Sequence, residues 1–406
     1  MVAKTWALVH NLWAIGFLVV VSVAITVGFS MMAAGRNPKE NPFSTLASAI
    51  GTPNATPAAT RAAVASYPPP GSTPLRVITP PPPLATSTAA PALNLPETPL
   101  PPSTYISREL VLAARGSGQG QIGIREVNEA RIGPPAFATD AAGNVYVIDS
   151  VNYRVNKYDR QGTYLSGFSY DKGNSPDSVA VWKDGSVFLA DEAVRRDEPS
   201  GETYQVVWKF DPQGRPLLNY KWYGIYHIED VRLDSGGTVW AGAIGGGNNL
   251  VATRLGSVDG PIDRGQVQSS QQSGMAHRGG VAVLQLFNKP DRRGGYVELT
   301  LSDGRSLQLP LPVSPRSDAT SAGSMLVDTD AQGNIYLDMA YRRPQGAPEL
   351  HILAYDAQGN LTGQAELPEF RYWAVPRRPY HIDEQGRIYQ MLVAQDSIRI
   401  LCWEKV

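Results

Sequence analysis

The sequence predicts an all-β protein: a six-bladed β-propeller behind an N-terminal transmembrane helix and a disordered Pro/Thr-rich stalk. Three observations predict it. A turn-and-strand pattern recurs along residues 106–406. An uncharged apolar run fills residues 12–34. Between the two lies a stretch dominated by Pro, Ser, Thr and Ala.

The chain opens with a short tail, residues 1–11. The run at 12–34 follows, rich in Val, Ile, Phe and Met. At about 1.5 Å per residue it spans a bilayer core of about 30 Å as a helix. A secretory signal carries a shorter apolar segment, of about 7–15 residues. The run therefore reads as an uncleaved anchor, with Ala33-Ala34-Gly35 as the small-residue cleavage site of the alternative reading. Lys4 precedes the run; Arg36 and Lys39 follow it, offset by Glu40. These charges leave the positive-inside rule undecided.

Residues 35–105 form the linker. Runs such as Pro68-Pro69-Pro70 stay extended and bury no core. As a coil the segment averages roughly 45–50 Å end to end; as polyproline II it reaches about 210 Å. Stalks of this composition hold domains away from a membrane, so the propeller is expected outside the cell, on a single-pass membrane protein.

From residue 106 onward the pattern is Asp-x-x-Gly-x-(Val/Ile)-aromatic. Copies begin at Asp140, Trp182, Asp234, Asp330 and Asp383. Asp bonds the backbone that follows it, and Gly takes the positive φ a tight hairpin needs. β-branched and aromatic residues then alternate as a pleated strand. A second turn recurs as YDRQG at Tyr158, FDPQG at Phe210 and YDAQG at Tyr355. Each unit thus reads as a four-stranded meander, and stacked units of this kind close into a propeller. Between the key glycines Gly143, Gly185, Gly237, Gly333 and Gly386 the gaps are 42, 52, 96 and 53. The doubled gap predicts a degenerate blade containing strands at 281–287, 296–301 and 307–311. The last unit runs out after its third strand, at 397–403. A strand at 108–113 (RELVLA) is expected to complete it and remove two open edges.

These residues resemble the NHL-repeat family of six-bladed propellers. Gly133 through Asp140, then Asp149-Ser150-Val151-Asn152-Tyr153-Arg154-Val155 and Tyr158-Asp159, look like one near-complete NHL unit. The second copy departs from it with a charged insertion at 193–204. The fold hosts binding, scaffold and enzyme members, so the resemblance implies architecture rather than activity.

Composition excludes several classes. The single Cys402 rules out an intrachain disulfide and a cysteine-based metal cluster. A net charge of −1 without a basic block argues against a nucleic-acid surface. The glycine-rich loop at 242–249 lacks the Lys-Ser/Thr of a phosphate loop. None of the five histidines has zinc spacing relative to another, and no Gly-x-Ser-x-Gly elbow occurs.

The recurring aromatics Tyr146, Phe188, Trp240, Tyr336 and Tyr389 read as core packing between blades. Two clusters fall outside that register: Trp222, Tyr223 and Tyr226, and Phe370, Tyr372 and Trp373. Both precede an inner strand, so both are expected on one rim, where aromatics beside Arg suit a protein or glycan partner. Propellers of the gluconolactonase type are similar in shape and hold a divalent metal in the tunnel. By that resemblance Asp177, Glu229, Asp230 and His381 are the candidate ligands for Ca²⁺ or another divalent ion, with turn-capping as the plainer reading. The sequence favours a membrane-tethered binding or scaffold module with no cofactor; the alternative is a tunnel-metal hydrolase or lyase.

Overall fold

A computed structural model describes residues 98–406, apart from 225–226, 245–249, 290–293, 315–319, 344–346 and 369–371. The expected anchor at 12–34 and most of the linker lie outside the described residues. Among those described, no helix is long and apolar enough to cross a membrane.

Among the described residues six antiparallel sheets of four or five strands follow one another along the chain, beside a small hairpin of Arg125–Val127 and Ala130–Ile132. Blade 1 is built from Phe137–Thr139, Val145–Asp149, Arg154–Tyr158 and Tyr164–Ser169. Blade 2 comprises Pro176–Val181, Val187–Arg196, Thr203–Phe210 and Pro216–Tyr223. Blade 3 comprises Asp230–Leu233, Thr238–Ile244 and Leu250–Ser257, with the short outer pieces Gly260–Pro261 and Gln272–Ser273. Blade 5 comprises Thr320–Thr329, Ile335–Arg342, Glu349–Tyr355 and Leu361–Leu367. The innermost strand of each blade touches that of the next, and Tyr380–Ile382 of blade 6 touches Phe137–Thr139, so the ring closes around a central channel.

The degenerate blade falls in the doubled gap, as expected. Its strands are Met275–His277, Gly280–Asn288, Gly295–Leu301 and Ser306–Leu311. It lacks the Asp-x-x-Gly signal for a physical reason. His277 pairs directly with Gly280, leaving only Arg278 and Gly279 in the turn. A hairpin that tight has no room for the longer aspartate turn.

Blade 6 joins the two ends of the described chain. Tyr380–Ile382, Ile388–Val393 and Ser397–Lys405 are completed by Tyr105–Ala114. The register runs from Tyr105↔Lys405 to Ala114↔Ser397, with a bulge between Glu109 and Val111. The segment 108–113, expected to complete the last unit, therefore does so as part of this strand. The chain is engaged still earlier: Val313 N–H donates to Thr98 O (2.8 Å) and Thr104 N–H to Gln364 O (3.0 Å). Residues 98–104, assigned to the linker by composition, thus lie across blades 4 and 5.

The repeat aspartates work as the pattern implies. Asp140 Oδ1 accepts the backbone N–H groups of Ala142 (3.0 Å) and Asn144 (2.9 Å), while Gly143 takes φ +80°. The recurring aromatic adds a second link. Tyr146, Tyr336 and Tyr389 donate their hydroxyls, and Trp240 its indole N–H, to the Oδ2 of the aspartate six residues earlier. The rings themselves are buried, in apolar clusters that for the most part lie between adjacent blades.

Candidate functional site: a charged network across the channel

Inner strands begin at one end of the channel, and the Asp-x-x-Gly turns lie at the other. At the first end, loops entering blades 3 and 6 meet inner-strand residues of blade 2. Arg377, directly after Pro376 in the loop into blade 6, reaches over the mouth. Its Nη1 lies 2.6 Å from Asp177 Oδ2 and 3.9 Å from Glu229 Oε2, and its Nη2 lies 3.1 Å from Glu192 Oε1. Arg377 also donates to His227 Nε2. That nitrogen is 3.5 Å from Asp177 and 3.4 Å from Glu229.

This is a proton-sensitive corner. Burial pushes the Asp177 carboxyl up to about 8, against the pull of Arg377 and His227. For His227, burial acts to lower the pKa, but the hydrogen bond and charge of Glu229 and the charge of Asp177 outweigh it and raise it. A neutral imidazole accepts from Arg377; a protonated one donates to a carboxylate. Guanidinium and proton therefore compete for the same nitrogen.

Deeper in the channel, ion pairs tie non-adjacent blades together. Arg232 of blade 3 bonds Asp230 (2.9 Å) and crosses to Asp328 of blade 5. Arg378, beside blade 6, pairs with Asp230. Ser178 Oγ of blade 2 donates to Asp230 Oδ1 at 2.9 Å. The Arg278 backbone N–H donates to Asp328 Oδ1 at 2.9 Å. Burial opposes ionisation of Asp328, yet Arg232, Arg278 and two backbone N–H groups hold its carboxyl down at about 2. His381 Nε2 sits 2.9 Å from Thr139 Oγ1. Burial, with Arg232 and Arg278 nearby, depresses that imidazole to about 3, so it is neutral.

The four candidate metal ligands do not share one shell. Asp177 and Glu229 face Arg377; Asp230 faces Arg232 and Arg378; His381 bonds Thr139. Among the described residues no group of three or more His, Cys, Asp or Glu is arranged to hold a metal ion. A divalent ion here would have to displace a guanidinium, so the residues present do not fit one.

The aromatic rim divides as well. Trp222 is 3% exposed and packs in the core between blades 2 and 3, a correction to its expected surface role. Its strand is the outer one of blade 2, and the later half of it, with Tyr220 and Trp222, packs against blade 3. Tyr223 is partly exposed, with its ring 5.4 Å from Tyr204 and 4.4 Å from the Arg264 guanidinium. The Tyr372 hydroxyl accepts from Gln390 Nε2 at 3.1 Å. Trp373 is partly buried against the core of blades 6 and 1, under the Arg131 guanidinium at 5.7 Å. Tyr226 and Phe370 lie outside the described residues. The two loops do converge on one end of the channel, through the Arg377–His227 contact.

Sequence reasoning missed the arginines Arg232, Arg278, Arg377 and Arg378, and Asp328. A signal was present: a charge in or beside an inner strand of nearly every blade, as in Asp230-Val231-Arg232 and Arg377-Arg378-Pro379.

No protein-family model matches the chain, and no curated protein sequence matches it. Solved structures of several kinds are similar in fold. Virginiamycin B lyase from Staphylococcus aureus is 11% identical, with 73% of this chain and 99% of that one covered, at a TM-score of 0.35. A putative oxidoreductase (glucose dehydrogenase) from Thermus thermophilus is 12% identical over 74% and 100%, at 0.37. The Pan2 WD40 domain of Neurospora crassa is 9% identical over 75% and 97%, at 0.39.

Proposed function

We propose that this chain is a membrane-tethered, extracytoplasmic propeller of the NHL-like kind. It acts as a metal-independent binding or scaffold module. Its partner, a protein or glycan, docks at the channel end where the loops into blades 3 and 6 meet. The observation that carries this reading is the arginine network. The carboxyl groups of Asp177, Glu229, Asp230 and Asp328 each face a guanidinium within 4 Å. Such pairs rigidify a platform; they leave no open coordination position for metal chemistry. The near-complete repeat at 133–159 supports the NHL-like assignment, and the apolar run with its Pro/Thr stalk supports the tether.

The competing reading is a hydrolase or lyase. It draws on one observation, the imidazole of His227 set between two carboxylates, an arrangement suited to proton transfer. One experiment separates the two. The full chain, purified in detergent, is assayed for bound metal and used to capture partners from solubilised membranes. The binding reading expects substoichiometric metal and a captured partner whose retention falls in Tyr223→Ala. Stoichiometric metal, with turnover lost in His227→Gln, would overturn it.

A further inference from the structure

Blade 4 leaves part of a strand edge open. Its inner strand, Met275–His277, pairs only with the start of the next one, from His277↔Gly280 to Met275↔Ala282. Before Met275 the chain leaves the blade: Gln272 and Ser273 pair with Ala252 and Val251 of blade 3. The second strand, Gly280–Asn288, runs on toward the end of the channel where inner strands begin, paired there with Gly295–Leu301 alone. In blade 5 the inner strand covers the corresponding stretch, from Thr329↔Ile335 to Thr320↔Arg342.

Along a strand, main-chain groups point alternately to one edge and to the other. Lys289 N–H donates to Gly294 O at 3.2 Å, and Phe287 O lies against Gly295, so odd-numbered residues face the third strand. Ala282 O lies against Gly274, so even-numbered residues face the inner edge. The N–H and C=O of Leu284 and Leu286 therefore face the open edge, and among the described residues nothing bonds them there. Val283 and Leu286 are exposed, and Leu284 is half-buried against the core of blades 4 and 5. Exposed edges are normally blunted by charge or by a bulge. Blade 2 also extends its second strand, but there Arg195 and Arg196 supply charge. Val283-Leu284-Gln285-Leu286-Phe287 carries no charge, and its register has no shift. Lys289 follows directly and, among the described residues, has no ion-pair partner.

We propose that this edge takes up an extended peptide of a protein partner as an added antiparallel strand. The peptide is apolar opposite Leu284 and Leu286 and acidic at its N-terminal end, opposite Lys289. A row of N–H and C=O groups along an edge is matched by another peptide backbone, and flanking side chains set the sequence preference. Continuing the direction of Met275–His277 brings the N-terminal end of the peptide to Lys289, where an opposite charge directly across the strands is favourable. The site rests on the binding reading above and takes that partner to be a protein.

The probe is the peptide ETTVTV, acetylated at its N-terminus and carrying fluorescein on a C-terminal linker. It is titrated against the full chain in detergent and read by fluorescence polarisation. It should bind saturably, and amide exchange at Leu284 and Leu286, fast in the free chain, should slow. Methylating the two valine nitrogens removes the donors that face the edge and should weaken the peptide at least about tenfold. Leu286→Pro removes an N–H from the open edge while sparing the ladder with Gly295–Leu301, and should weaken it as much. Lys289→Glu leaves the backbone untouched and guards against misfolding in the proline variant; it should weaken ETTVTV and favour KTTVTV. No binding of ETTVTV, equal binding of the methylated peptide, an unchanged charge preference in Lys289→Glu, or slow exchange at Leu284 and Leu286 without peptide would overturn the proposal. Such a failure beside intact Tyr223-dependent capture removes this site and spares the binding reading.

Discussion

Asp177 and Asp328 are both buried aspartates beside arginines, yet they shift in opposite directions. Asp328 accepts two backbone N–H groups as well as charge from two arginines, and these outweigh its desolvation. Asp177 Oδ1 has no hydrogen-bond partner, so burial prevails. The difference has a measurable consequence. With a folded-state pKa of about 8 against an ordinary 3.8, Asp177 keeps a proton in the folded protein that the unfolded chain has lost. Stability linked to it is full below the ordinary carboxyl range and declines as pH rises toward about 8. His227, also raised, acts in the same direction from the ordinary imidazole range upward. Asp328 acts in the opposite sense: its contribution is present above the ordinary carboxyl range and lost as pH falls toward about 2. Asp177→Asn keeps the shape and removes the titration. Its melting temperature should fall less than that of the parent between about pH 5 and pH 8; parallel profiles would show that Asp177 is ionised throughout. At this scale the sequence was partly legible. Asp177, Glu229, Asp230 and His381 were singled out by resemblance, from their places at or just before inner strands. Their arginine partners were not, because Arg232–Asp328 and Arg377–Asp177 join residues far apart in the chain.

Among the elements, the closing strand was the most legible and blade 3 the least. The 108–113 segment stood out because the last unit runs out after its third strand, and Val111 is fully buried between blades 6 and 1. Blade 3 carries its aspartate turn, but its outer strand shrinks to Gly260–Pro261 before the short helix Arg264–Ser269. Proline donates nothing to a ladder, so the edge could not extend. Residues 98–104 were unreadable for another reason. Thr98-Pro99-Leu100 has the composition of a stalk, and its pairing with Val313 uses backbone groups that composition does not reveal. The closing strand gives a direct test. Deleting 108–113 exposes the edge of Ser397–Lys405 and should cause aggregation or a large drop in melting temperature. The milder Val111→Asp buries an unpaired carboxylate and should cost about 3 kcal/mol or more, unless the strand detaches. An unchanged melting temperature in both variants would mean the ring is not closed by this strand.

For the molecule as a whole, the ring and the proposed tether make separate demands. The ring is one unit: ion pairs cross the channel between blades 3 and 5 and from blade 2 to the loop entering blade 6, and the first described strand completes the last blade. The stalk composition demands the reverse, an extended chain that resists folding. Backbone pairing is already present at Thr98, the first of the described residues. This predicts where a protease cuts. Added to intact cells, a protease of broad specificity should release a soluble propeller by cleaving between Pro38 and Thr98. Cuts should stop short of Thr98, because cleavage needs an exposed backbone free of such pairing. The released ring should then unfold in one cooperative transition, since removing the stalk takes away none of the contacts that close it. Mass spectrometry of the fragment reads the cut site, and calorimetry reads the cooperativity. Protection in intact cells, with cleavage only after lysis, would place the propeller on the cytoplasmic side and overturn the proposed topology. A fragment beginning well beyond Thr98 that still unfolds cooperatively would show that the strap over blades 4 and 5 is dispensable.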